Sequence, residues 1–297
     1  MNPAHCATAA RERGDPMVGT AAPARRWLLI EYTAPWATHA LQSRLIPPPL
    51  GARLEALARS RGARVLLVRR HGRRRLDGPK AWAVVDHDAG QQWGTWETGD
   101  DLAPAADVFA GEVVATGPQE PLLLVCAHGL HDTCCAVRGR PVAAALADRW
   151  PQATWECSHV GGDRFAANLV VLPDGACYGN LSAASAVPVA EAHLSGTVSA
   201  GHLRGLSTEP PVVQAAIVAA HAELGPGGAR DLVGDTVTAT GPDAWRVRLA
   251  GHGPMPAVVE ATVTRHRRPP AKLTCRAVAE AAAYAYAVSD LRVPGDG

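Results

Sequence analysis

The stretch 122–179 constrains this chain more than any other. It opens with an apolar run, Leu122 to Val125, that ends on Cys126. A run that short reads as a buried strand. A polar loop with His128, Gly129, His131, Asp132, Cys134 and Cys135 follows. Arg138-Gly139-Arg140-Pro141 then leads into an apolar run ending at Trp150. Pro141 suits the first turn of a helix, where a missing N–H costs nothing. A second strand over 153–159 delivers Cys157 and His159, and Gly161-Gly162-Asp163-Arg164-Phe165 comes directly after. Residues two apart on a strand share a face, so Cys157 and His159 are expected to point into one place.

Four of the seven cysteines fall within 32 residues, so soft ligands arrive in two groups. One is Cys126 with Cys134 and Cys135; the other is Cys157 and His159 with Asp163. Thiolates favour zinc, copper(I) and iron–sulfur clusters, and imidazole suits zinc and iron. A free cysteine is often just a small buried hydrophobe. These cysteines flank polar loop residues instead of forming a packed stripe, which favours ligation.

CAHGLHDTCCAVRGRP and ECSHVGGDRFAANLVVLPDGACYG together resemble the sucrase/ferredoxin-like family, whose members are related to thioredoxin-like [2Fe-2S] ferredoxins. The resemblance is densest from Cys126 to Gly179. It extends weakly back to Pro23-Ala24-Arg25-Arg26-Trp27 and forward past Arg204-Gly205. The paired motif is specific; either half alone is weak. The resemblance implies a [2Fe-2S] cluster in which Cys126 matches the first family cysteine. Aligned on Asp132, Cys135 matches the second. In fungal relatives the second half is a His-x-x-x-His pair. His159 matches the first histidine, and the second falls on Asp163, a departure from the pattern. The fourth ligand stays open: motif alignment points to Asp163, and the usual preference of clusters for thiolate points to Cys157.

The order strand, helix, strand, strand, strand, helix is expected twice. The first copy has strands over 26–32, 63–68, 81–86 and 92–97, and helices after Pro47-Pro48-Pro49 and toward Phe109, the latter capped at Asp100-Asp101. The second runs from 122 through a helix over 188–194. The expected class is α/β (α+β): tandem thioredoxin-like units, the second carrying the ligands, plus a C-terminal helix and β-meander. The division is residues 1–22 as a flexible N-terminus, 23–112 as a degenerate thioredoxin-like unit, 113–205 as the ferredoxin domain and 206–297 as an α+β region. In the last, a helix over 212–224 is followed by strands over 235–240, 244–250 and 257–265 and a closing helix over 278–291. Cys6 reads as a free thiol in a loose segment, and Cys177 and Cys275 as structural thiols.

The formal net charge of +1 gives no electrostatic reason for nucleic-acid binding. Arg69-Arg70 with Arg73-Arg74-Arg75, and Arg265 with Arg267-Arg268, read first as solvated loops and second as a docking patch for an acidic redox partner. No run reaches the ~18 apolar residues of a membrane span. The start lacks a signal-type apolar core, so a cytoplasmic location is expected. An odd cysteine count in a long chain does not suggest a secreted disulfide framework.

The resulting expectation is an iron–sulfur electron carrier that docks on a reductase or oxidase, rather than a substrate-converting enzyme. Two alternatives stand beside it. One is a thiol-based thioredoxin-like oxidoreductase using Cys134 or Cys135, against which stands the lack of C-x-x-C at a helix start. The other is a structural zinc domain, which two cysteines, a histidine and a fourth ligand suit equally well. Sucrose hydrolysis would need two carboxylates flanking a sugar site. Asp132, Glu156 and Asp163 carry no aromatic sugar platform around them.

Overall fold

A computed structural model describes residues 5–73 and 79–295. It is a mixed α/β structure with one nine-stranded sheet, a second four-stranded antiparallel sheet and six α-helices among the described residues. The large sheet is built from a motif used twice. In the first half β1 (Arg26–Glu31) and β2 (Arg64–Arg69) are parallel, joined through α2 (Pro48–Arg61). Strands β3 (Lys80–Asp86) and β4 (Gly90–Trp96) add antiparallel beside β1, and α3 (Ala103–Ala110) closes the half. In the second half β5 (Leu122–Cys126) and β6 (Thr154–Cys157) are parallel, joined through α4 (Thr133–Arg149). Strands β7 (Leu169–Leu172) and β8 (Ala176–Tyr178) add antiparallel beside β5, followed by α5 (Ala183–Leu194).

The sheet order is β4-β3-β1-β2-β6-β5-β7-β8 and then β9 (Leu203–Leu206). The two halves therefore meet at their second strands. That seam is short and antiparallel: Val68 pairs Cys157, and Arg69 pairs Glu156. Alternation along β1 sends Leu28 and Ile30 to one face, and Trp27 and Leu29 to the other. The second face is common to both halves. Leu29, Leu66, Val68 and Val85 share it with Leu122, Leu124 and Cys126. All five residues of β5 are buried, as expected for a central strand covered on both sides.

Local chemistry sets the helix ends. Pro48 and Pro49 open α2, and Gly62 closes it with φ 57°. Ser182 caps α5 in a reciprocal pair with Ser185. Helix α4 starts earlier than the expected position. Asp132 is its N-cap, accepting from the Cys134 N–H at 2.8 Å, so Pro141 lies inside the helix and not in its first turn. Cys134 and Cys135 therefore sit on the opening turn.

Three further expectations are corrected. The sequence pattern predicts a helix over 278–291, but β13 (Tyr284–Arg292) is a strand paired antiparallel with β12 (Val258–Arg267). Alanine-rich sequence favours helix locally; a free sheet edge and the alternation that buries Ala285 decide otherwise. The meander thus has four strands, β10 (Leu232–Gly241), β11 (Ala244–Gly251), β12 and β13, and α6 (Pro211–Leu224) packs against it. Cys6, expected in a loose segment, is buried on α1 (Cys6–Glu12), which packs against the 163–165 turn. Arg69 and Arg70 are not a solvated loop. Arg69 lies 2.8 Å from Glu156 and covers the Trp36 ring at 4.0 Å. Arg70 covers Trp155 at 3.5 Å and donates to three backbone carbonyls. Arg74 and Arg75 lie outside the described residues.

Arg265 pairs with Asp243, and no described helix is long and apolar enough to cross a membrane.

Candidate metal centre

The parallel pair β5–β6 ends at one edge of the sheet, with Cys126 opposite Cys157. Beyond these ends the chain turns into two loops, 127–132 and 158–163. The first leads straight into α4, whose opening turn lays Cys135 over the end of β5. The second returns through Gly161 and Gly162, both at positive φ, into the short 163–165 turn that carries Asp163. Donor atoms of Cys126, Cys135 and His159 consequently lie within 4.8 Å of one another. A second triad, His131, His159 and Asp163, shares His159 and meets the same limit.

Asp163 ties the two triads together. The Cys135 thiol donates to its Oδ1 at 3.1 Å, and His159 Nδ1 lies 2.9 Å from the same oxygen. That second contact is close but poorly aligned, and His159 Nδ1 is left without a true hydrogen-bond partner. His131 stacks on His159 with ring centroids 3.8 Å apart, and its Nε2 is 3.8 Å from Asp163 Oδ2. His128 is buried beneath them and bonds through Nε2 to the Ala37 carbonyl at 2.8 Å.

The electrostatics follow from this crowding. Contact with the Cys135 side chain holds Cys126 well below the usual thiol range despite burial, and His159 adds to the effect. The same contact, with burial, pushes Cys135 strongly up. Burial alone would lower His159. The Asp163 carboxylate and the Cys126 sulfur outweigh it and raise His159 to about 9. Sulfur, imidazole and carboxylate drawn this close together form a donor set whose protons a metal cation would replace. The buried sulfurs and the His159 ring fit such an ion, and the α4 N-terminus, which favours negative charge, suits the thiolates that would hold it.

Cys157 is placed differently. It is fully buried among Leu66, Val68, Trp155 and Cys126, and burial pushes its thiol up. It joins none of the donor groups found among the described residues. Strand β6 ends at Cys157, so the two-residue alternation no longer governs His159. Arg164 pairs with Asp15 at 3.8 Å. Cys177 is a buried thiol. Glu156 is committed to Arg69 and His71.

Sequence reading missed Arg204. It is fully buried and donates to the Gly161 carbonyl at 3.0 Å and to Asn168 Oδ1 at 2.9 Å. Asn168 in turn donates to the Gly162 carbonyl at 2.9 Å. The glycine loop that delivers His159 is thus held from β9, far along the chain. Only the oddity of an arginine inside an apolar strand could have signalled it.

A repeated mixed α/β architecture, with cysteine, histidine and aspartate side chains grouped where they could hold a metal ion, defines the class of protein. The profile of the sucrase/ferredoxin-like family matches residues 17–205, more than half of the chain, and the protein belongs to that family. Searches among curated proteins and solved structures give no match.

Proposed function

We propose that this protein is a one-electron carrier that holds a [2Fe-2S] cluster at the strand ends of its second half. The observation that carries the reading is the convergence of Cys126, Cys135 and His159 from a strand end, a helix start and a loop. The equivalent strand end of the first half offers buried Tyr32, followed by Thr33, instead. Asp163 is the best-supported fourth donor, because it already touches both Cys135 and His159. When bound, the cluster would supply one-electron chemistry at a potential above that of an all-cysteine plant-type centre, since imidazole replaces thiolate.

The chain's own contribution is burial on one side and access on the other. Leu124, Val170 and Trp155 exclude water beneath the cysteines. His131 and His159 are partly exposed at the rim of an open hollow of about 200 Å³. Their rings are where a redox partner would approach, and where a proton could be held beside the centre. That partner would be a reductase or oxidase. Free thiols at all seven cysteines suit a reducing compartment, and we place the protein in the cytoplasm.

A zinc ion in this position is the second reading. Donor atoms within 4.8 Å of one another match the span of a single tetrahedral ion. A thiol–disulfide enzyme is less well supported. Cys134 and Cys135 do open a helix, but both are 1% exposed or less, out of reach of a substrate disulfide.

Anaerobic purification from iron-replete cells tests the proposal. Red-brown protein with about two iron and two sulfide per chain, and a paramagnetic signal on reduction, is expected. Cys126→Ser or Cys135→Ser should bleach it. Colourless wild-type protein without sulfide would overturn the electron-carrier reading.

A further inference from the structure

Three of the five cysteines outside the centre just described meet each other. Cys6 comes from α1, Cys134 from the first turn of α4, and Cys275 from the connection between β12 and β13. Their sulfurs form a triangle: Cys6–Cys134 3.7 Å, Cys134–Cys275 3.3 Å and Cys275–Cys6 3.5 Å. Both Asp132 carboxylate oxygens lie 3.7 Å from the Cys6 sulfur. Asp132, Cys6 and Cys134 are fully buried, and Cys275 is half-buried. Sequence separations of 128 and 269 residues kept this group out of sight in the sequence.

We propose that Cys6, Cys134, Cys275 and Asp132 form a structural zinc site, distinct from the centre at Cys126, Cys135 and His159. Tetrahedral zinc with Zn–S near 2.3 Å sets its sulfurs about 3.8 Å apart, and its sulfur and oxygen ligands about 3.6 Å apart. The four side chains are already close to that spacing. Three thiolates select a borderline-soft ion, while a carboxylate as fourth donor favours zinc over copper(I).

The surroundings are built for anions. The Ala7 N–H points at the Cys134 sulfur and the Cys6 N–H at the Cys275 sulfur, both at 3.5 Å. The Cys134 and Cys275 amides donate to the two oxygens of Asp132 at 2.8 and 2.6 Å, which fixes the carboxylate's orientation. Arg11 and Arg164 stand close enough to Cys134 and Cys6 for their charges to couple. Three thiolates and a carboxylate packed together without a cation would be strongly repulsive, whereas one Zn²⁺ offsets half of that charge.

The site has a structural consequence. It clips the N-terminal helix and the β12–β13 connection to the same helical turn that carries Cys135. Neighbouring cysteines thus serve two centres, one on each side of the α4 N-terminus. An ion that binds only the folded chain stabilises it by mass action, so zinc removal should lower the melting temperature.

Metal analysis of the full-length protein, purified under reducing anaerobic conditions, tests this. About one zinc per chain is expected. Cys6→Ser and Cys275→Ser should each lose that zinc while the colour attributed to the other centre persists. Conversely, the Cys126→Ser/Cys135→Ser variant should keep it. Cobalt(II) added to the metal-free protein should give tetrahedral thiolate absorption that vanishes in Cys275→Ser. Should the variants misfold, alkylation of wild-type protein decides. Cys6, Cys134 and Cys275 should be protected in zinc-loaded protein and become reactive together on chelation. Unchanged zinc in both single variants, or full alkylation with zinc present, would each overturn the proposal.

Discussion

A Cβ added to Gly139 would lie 2.0 Å from the carbonyl oxygen of Cys126. Helix α4 and the end of β5 are therefore in direct backbone contact, one turn beyond Cys135. No flexible side chain can yield there, because the obstacle is main chain. Gly139→Ala should push α4 off the strand end and separate Cys135 from Cys126. We expect destabilisation of about 1–3 kcal/mol in urea unfolding and loss of most bound iron. A variant of wild-type stability and metal content would show that the contact is not needed.

Cys157 and Asp163 should behave oppositely. Cys157 is packed in the core without a place in the donor groups, so Cys157→Ala should cost about 1 kcal/mol and keep the colour. Asp163→Ala removes the carboxylate between Cys135 and His159 and should abolish or strongly shift the visible spectrum. Absorption spectra of the two purified variants check this; bleaching by Cys157→Ala alone would assign the fourth ligand to Cys157.

Arg69 and Glu156 join the two halves across the β2–β6 seam, each side chain 5% exposed. Arg69→Met leaves the Glu156 carboxylate buried without its main cation. Equilibrium unfolding should show a loss of about 3–5 kcal/mol. Adding Glu156→Gln should restore much of it, since the stranded charge is gone. No recovery in the double variant would mean that the arginine acts chiefly through its stacking on Trp36.

Asp174 gives a pH dependence remote from either centre. Burial pushes its carboxyl up, but His193 at 3.2 Å and Arg230 at 2.6 Å outweigh that and hold the pKa at about 2. The unfolded value is near 3.9. The stabilisation is thus complete above pH 4 and is lost as pH falls from about 4 to 2, because the unfolded chain takes up the proton first. Roughly 2 kcal/mol is at stake. Urea titrations between pH 5 and 2 should show Asp174→Asn less stable at pH 5 and converging with wild type at pH 2.

Much of the fold and part of the site can be read along the chain, and the boundary follows interaction range. The apolar runs of β1 and β5 and the prolines ahead of α2 act within a few residues. The repeated strand and helix order follows from them. The two donor groups, Cys126 with Cys134 and Cys135, and Cys157 and His159 with Asp163, are legible because their loops lie close in sequence; the choice of Cys126, Cys135 and His159 among them follows from the family resemblance. Helix α4 starts well before Pro141, a first-turn signal, because the Asp132 cap nine residues earlier competes with it and wins. The alanine-rich tail fails as a helix because a partner edge on β12 outweighs weak local propensity.

The sequence alone thus determined a duplicated α/β chain with a cysteine–histidine loop pair in its second half. That information is carried by local pattern and by motif spacing. Only tertiary structure decided the seam at Arg69 and Glu156, the hold of Arg204 on the glycine loop, and the separation of Cys134 from Cys135 into two environments. It also decided the meeting of Cys6 with Cys275. Those pairings depend on how sheet edges and chain ends pack in space, where contact energy accrues between residues whose order along the chain says nothing of their distance.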